Sequence, residues 1–127
     1  MSYVFTKTLD VPFDEAIERT TAALAERGFG VLTTIDVKAT LKKKIDVDFR
    51  PYTILGACNP GLAHQALQAE PYIGVMLPCN VVVQEVDGVV EIAAVDPVAS
   101  MGAVENDALG DVATQVRAML QEVVESL

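Results

Sequence analysis

Histidine is nearly missing from this chain of 127 residues, which holds only His64, and cysteine is scarce, with Cys58 and Cys79 alone. One imidazole cannot build a two-histidine zinc helix, and no His-Glu-x-x-His occurs. Serine is confined to Ser2, Ser100 and Ser126, with no Gly-x-Ser-x-Gly elbow, so a hydrolase triad has no basis. No Walker loop is present, and no Gly-x-Gly-x-x-Gly follows a strand, which argues against a nucleotide-dependent enzyme. Two cysteines do not make a disulfide framework, and without Cys-x-x-Cys the resolving geometry of thioredoxin-type exchange is lacking. Basic side chains are few: 9 against 18 acidic ones leave a net charge of −9, which repels nucleic acid and anionic membranes alike. The one basic cluster, Lys42-Lys43-Lys44, stands beside Asp46 and Asp48 and reads as a solvated helix face. No apolar run approaches the roughly 20 residues that span a bilayer. Lys7 and Asp10 interrupt the first residues, so no signal-peptide block is expected. The expected compartment is the cytoplasm, with both thiols reduced.

What the chain does have is apolar side chain, 51% of its residues, with a mean hydropathy of +0.35. The length suits one domain over 1–127. That apolar content exceeds what the interior of so small a monomer usually takes up, so the surplus is expected to line a pocket or cover a partner. A homo-oligomer is the expected state.

Ser2 to Leu9 alternates and predicts a strand. Pro12 opens a helix whose apolar stripe is Phe13, Ala16, Ile17, Thr20 and Leu24, and Gly28 closes it. A strand over Phe29 to Ile35 leads to Asp36, which can cap a short helix with Val37, Leu41 and Ile45 inward. Tyr52 to Ala57 predicts a buried strand. Asn59 then supplies an N-cap and Pro60 the first helical position, and the helix runs on to Glu70 before Pro71 stops it. Tyr72 to Leu77 predicts a fourth strand, interrupted by Pro78 and resumed over Asn80 to Val86. Asp87-Gly88 predicts a hairpin turn into a strand over Val89 to Val95. A loop over Asp96 to Glu105 precedes the last helix, with Leu109, Val112, Val116, Met119, Leu120, Val123 and Leu127 as its stripe. The fold class expected is α+β, a single mainly antiparallel sheet with helices packed on one face.

Both cysteines and the histidine fall between Tyr52 and Val83, where two apolar runs each reach a Cys-Asn pair with a proline beside it. Cys58 ends a strand immediately before a helix N-terminus, where unpaired amides favour a thiolate. Cys79 lies next to a proline that distorts its strand. If the strands are neighbours, the two thiols meet at one end of the sheet. Against this stands ordinary packing, since free cysteine is among the most buried residue types. A structural zinc site would have to borrow Asp96, Glu70 or a second chain, whereas Met76 or Met101 beside the cysteines would suit monovalent copper. His64 falls off the apolar face of its helix and reads as a solvent-edge residue. Glu70, at a helix end near that face, could aim a carboxylate inward. Asn59 has its capping role, Asn80 marks a bulge, and Asp96-Pro97 is a turn unless its loop folds back over the cysteines.

Gly56-Ala57-Cys58-Asn59-Pro60 and Leu77-Pro78-Cys79-Asn80-Val81 resemble the domain-of-unknown-function family 302. Asp36 to Lys44, Gly28-Phe29-Gly30-Val31 and Asp96-Pro97 resemble its pattern too, so the likeness covers nearly the whole chain. The resemblance implies a small α+β domain of bacteria or archaea that assembles as a homodimer. It implies no activity, although similarity to proteins found near sulfur-handling functions favours a thiol-based role.

The reading that results is a domain that binds a small ligand, a sulfur species or a soft metal ion through Cys58 and Cys79, with Asn59, Asn80, Glu70 and Asp96 around them. The alternative is a non-catalytic homodimeric module whose cysteines are core packing. An enzyme using Glu70 as base ranks last, because no partner group can be named.

Overall fold

The computed structural model describes residues 2–127. Its strands and helices follow the local chemistry closely. Strand β1 (Val4–Leu9) turns its Phe5, Lys7 and Leu9 inward by simple alternation. Helix α1 (Phe13–Glu26) buries Ala16, Thr20, Ala23 and Leu24, and the Thr20 hydroxyl is satisfied by donating to the Ala16 carbonyl at 2.7 Å. Gly28, at φ +80°, takes the left-handed turn that frees the chain to enter β2 (Gly30–Asp36). Asp36 accepts from the Ala39 amide and starts α2 (Val37–Ile45). Lys42 bridges Asp46 at 2.9 Å and Asp48 at 3.2 Å, so the basic cluster is partly neutralised by its own neighbours. Strand β3 (Tyr52–Cys58) runs into α3 (Pro60–Ala69), then β4 (Cys79–Val86) and β5 (Val89–Val95) form a hairpin on Asp87 and Gly88, both at positive φ as a type I′ turn demands. Asp96 caps a single turn, α4 (Pro97–Ser100), and Asn106 caps the long α5 (Asp107–Glu125).

The five strands form one sheet in the order β1-β5-β4-β3-β2, every pair antiparallel, which is the α+β architecture expected. Leu55 and Ala57 of β3, Val81 and Val83 of β4 and Ile92 and Ala94 of β5 meet α1 and the Leu109, Val112, Val116, Leu120 and Val123 stripe of α5 in one core. Helix α2 stays outside that layer: none of its residues is buried, and Ile45, predicted to face inward, is exposed. Among the described residues no helix is long and apolar enough to cross a membrane.

The segment before β4 departs from expectation. Pro71–Met76 is a 3₁₀ helix, not a strand. Its Tyr72 and Val75 are 81% and 82% exposed and only Ile73 is buried, so the run has no second apolar face to place in a sheet. Pro71 at its first turn and the Gly74 carbonyl accepting from the Leu77 amide complete the tight turn. Asn80 is not a bulge either: it pairs in regular register with Gly56, and the irregularity falls between Val31 and Thr33 on β2.

Gly56 matters for the site. A Cβ there would collide with the Thr33 hydroxyl and lie 2.8 Å from Pro78 Cγ, so the proline that introduces Cys79 rests on bare backbone. Gly56→Ala is expected to cost about 1–3 kcal/mol by overpacking. A urea midpoint unchanged from the native protein would show that Pro78 is free to move aside.

Candidate functional site

The register places the two Cys-Asn pairs on adjacent strands. Ala57 pairs with Cys79 across β3 and β4, and Cys58 is the next residue along. Phe29, Leu62, Ala66, Leu77, Pro78, Val112 and Val116 close around this end of the sheet and leave a cavity of about 30 Å³. Cys58, Asn59, Cys79 and Met101 line it as well. The chain thus brings three of its sulfur-bearing residues to one hollow from β3, β4 and the turn after α4. A space of that size holds one or two water-sized species, far short of the roughly 300 Å³ or more of an organic-ligand pocket.

Cys79 is 7% exposed and carries the site's one displaced titration. Burial, reinforced by the neighbouring Cys58, pushes its thiol up to about 11. Cys58 is half-buried. Since only the thiolate attacks alkylating agents, Cys79 in a Cys58→Ser variant should react very slowly at neutral pH. Its rate should still be rising about tenfold per pH unit above pH 9, because burial, the larger cause of the shift, remains when Cys58 is gone. A rate that levels off near pH 9, followed by mass spectrometry with iodoacetamide, would contradict the buried neutral thiol.

Other candidates sort cleanly. Asn59 lines the cavity while its side chain accepts from the Leu62 amide at 3.2 Å, so its capping role holds it there. Asn80 does not join it: the residue is exposed and lines hollows on the other side of the sheet. Glu70 is the C-cap of α3, accepts from Asn106 Nδ2 at 3.4 Å and lines none of the cavities described. Asp96 is buried but occupied elsewhere, capping α4 through the Val98 amide and accepting from Arg117 Nε at 3.1 Å. The loop it begins does fold back over the cysteines, yet it is Met101 that reaches them. His64 is exposed, as its helical position predicts. Among the described residues no three His, Cys, Asp or Glu side chains gather, so zinc held by Asp96 and Glu70 within one chain is ruled out by placement. The apolar walls, Phe29, Leu77, Val112 and Val116, carry no local signal in the sequence that marks them as a site.

These features define a small α+β protein with a sulfur-lined hollow at one end of a five-stranded antiparallel sheet. A family model described as "Domain of unknown function DUF302" matches residues 5–127, and the chain belongs to that family. It is similar to the crystal structure of an uncharacterized conserved DUF302 protein from Bacillus stearothermophilus, with 30% sequence identity, a TM-score of 0.91 and 98% of each chain covered. No curated protein matches the sequence.

Proposed function

We propose that the protein binds one soft monovalent metal ion, with Cu(I) as the representative, through Cys58 and Cys79 and with Met101 as a third donor. The observation that carries this reading is the convergence of these three residues on one cavity of about 30 Å³. Thiolate and thioether sulfur select Cu(I) over harder ions, and the one side-chain oxygen on the wall, that of Asn59, is already accepting from the Leu62 amide at 3.2 Å. The volume admits an ion and excludes an organic molecule of any size. The reading needs both thiols reduced and therefore fits a reducing compartment such as the cytoplasm. Its test is anaerobic titration of the reduced protein with Cu(I) against a coloured chelator. One equivalent per chain is expected, with no comparable uptake of Zn(II). Failure of the protein to compete would end the proposal. A single sulfane sulfur atom is the other occupant of this size, and a mass gain of one sulfur after polysulfide treatment would identify it instead.

A second reading, compatible with the first, is that the open face of the sheet joins two copies of the chain. Tyr3, Val4, Tyr52, Val82, Ala93 and Val95 line a hollow of about 360 Å³ on that face together with Thr6, Asn80, Gln84 and Glu91, and Arg50 stands at its edge, donating to Gln84 at 3.0 Å and lying over the Tyr52 ring. Glu91 is itself engaged, accepting from Gln84 at 3.2 Å. Antiparallel strands with one wet face usually alternate apolar and polar, whereas β4 and β5 place valine and alanine on both faces. Such a surface favours an isologous homodimer.

A further inference from the structure

Arg50 is an exposed cation fixed in place on the open face of the sheet. Its Nε donates to Gln84 Oε1 at 3.0 Å, and its Cζ lies 4.4 Å from the centre of the Phe49 ring and 5.5 Å from that of Tyr52. The planar fork is therefore already oriented, and its two outer nitrogens remain free to donate. Among the described residues no carboxylate comes within ion-pair distance of it. Gln84 carries the hydrogen bonding on, donating from Nε2 to Glu91 Oε1 at 3.2 Å, and Glu91 makes no ion pair among the described residues either. One glutamine thus stands between a cation and an anion that do not meet within their own chain.

The register says how a second copy brings them together. β4 is the central strand, and one row of the open face runs from Tyr52 on β3 through Gln84 on β4 to Glu91 on β5. The next row on that face is Ile54, Val82 and Ala93, with Ile35 beyond it on β2. Taking the open-face homodimer above as its basis, we propose that two copies stack about a twofold axis running along β4, with Arg50 of each paired to the partner's Glu91. Rotation about that line exchanges the β3 side for the β5 side. It sets each Arg50 over the partner's Glu91, Val82 on the partner's Val82 and Ile54 on the partner's Ala93. The contact is isologous and closes at two chains. Because Gln84 and the two rings already hold the guanidinium, docking orders little more side chain. The apolar row supplies the burial, and the two ion pairs fix the register of one sheet upon the other.

The experiment mixes two charge-reversed full chains, Arg50→Glu and Glu91→Arg, after circular dichroism has shown each to be folded. Each variant sets like charges face to face twice in its own homodimer, and its self-association in sedimentation velocity is expected to weaken roughly tenfold or more. Mixed together, they restore opposite charges at both contacts. Native mass spectrometry with one chain isotopically labelled should therefore find a heterodimer roughly tenfold or more tighter than either homodimer. A change confined to one chain cannot give this result, since the Gln84 contacts of each variant are the same alone and in the mixture. Native self-association by either variant, or random assortment in the mixture, would overturn the Arg50–Glu91 pairing and leave the open-face dimer to its own test. A native protein that sediments as a monomer would overturn both.

Discussion

Cys79→Ser is expected to weaken Cu(I) binding by more than about 100-fold, because even the groups that merely orient a ligand are typically worth 10–100-fold. Serine keeps the size of the side chain, but a neutral hydroxyl is a poor donor to a soft ion, and beyond Cys58, already in the site, the chain has no third cysteine to stand in for Cys79. Cys58→Ser should have an effect of the same order, and Met101→Leu a smaller one, since a thioether contributes less than a thiolate. The double variant Cys58→Ser/Cys79→Ser should not compete with the chelator at all. The residues share one cavity, so the single losses will not sum to the double loss. The fold should tolerate these changes differently. Cys58 is half-buried, but Cys79 sits against the hydrocarbon of the core, where a hydroxyl without a partner costs about 1–3 kcal/mol. Circular dichroism and a urea midpoint therefore accompany the titration. A folded Cys79→Ser protein with native affinity would remove Cys79 from the site.

Val82→Glu is expected to turn a dimer into a monomer without unfolding the chain. Val82 lies on the open face of β4, opposite Ala93 of β5, with its side chain only partly covered in the isolated protomer. In a symmetric dimer the substitution places a carboxylate from each copy in one apolar interface beside Glu91. The desolvation of each charge costs several kcal/mol. At about 1.4 kcal/mol per tenfold, a loss of 3–4 kcal/mol loosens the dimer by roughly 100- to 1,000-fold. Sedimentation velocity at micromolar concentrations measures it. A native protein that sediments as a monomer, or a variant that remains dimeric, would show that the open face is not the interface.

The parts legible in the sequence were those written in local chemistry. The α1 stripe, the Asn59-Pro60 helix start, the Asp87-Gly88 hairpin and the α5 stripe each follow from residues within a few positions of one another. Tyr72 to Leu77 predicts a strand where the chain forms a 3₁₀ helix over Pro71–Met76, because a short apolar run carries the same signal in a buried strand and in a turn. What decided it was the lack of a partner strand, which is a tertiary fact. The sequence makes Cys58 and Cys79 neighbours only on condition that their strands pair, and β3 and β4 do pair, with Ala57 opposite Cys79. Met101 is visible in the sequence only as a soft donor, because nothing local says that a single turn capped by Asp96 returns the chain to the cavity. Asp96 is a candidate from sequence only if its loop folds back over the cysteines, and Glu70 because it ends a helix near the apolar face. Their real partners, Arg117 and Asn106, lie 21 and 36 residues away in the chain.

X-ray absorption at the copper edge, on protein loaded with one equivalent of Cu(I), is the most direct measurement of the central claim. Three sulfur scatterers and no nitrogen or oxygen are expected in the native protein, falling to two in Met101→Leu with the sulfur-only environment retained. A copper shell containing nitrogen or oxygen, or one unchanged when Cys58 and Cys79 are both replaced, would place the metal somewhere other than the cavity at the end of the sheet.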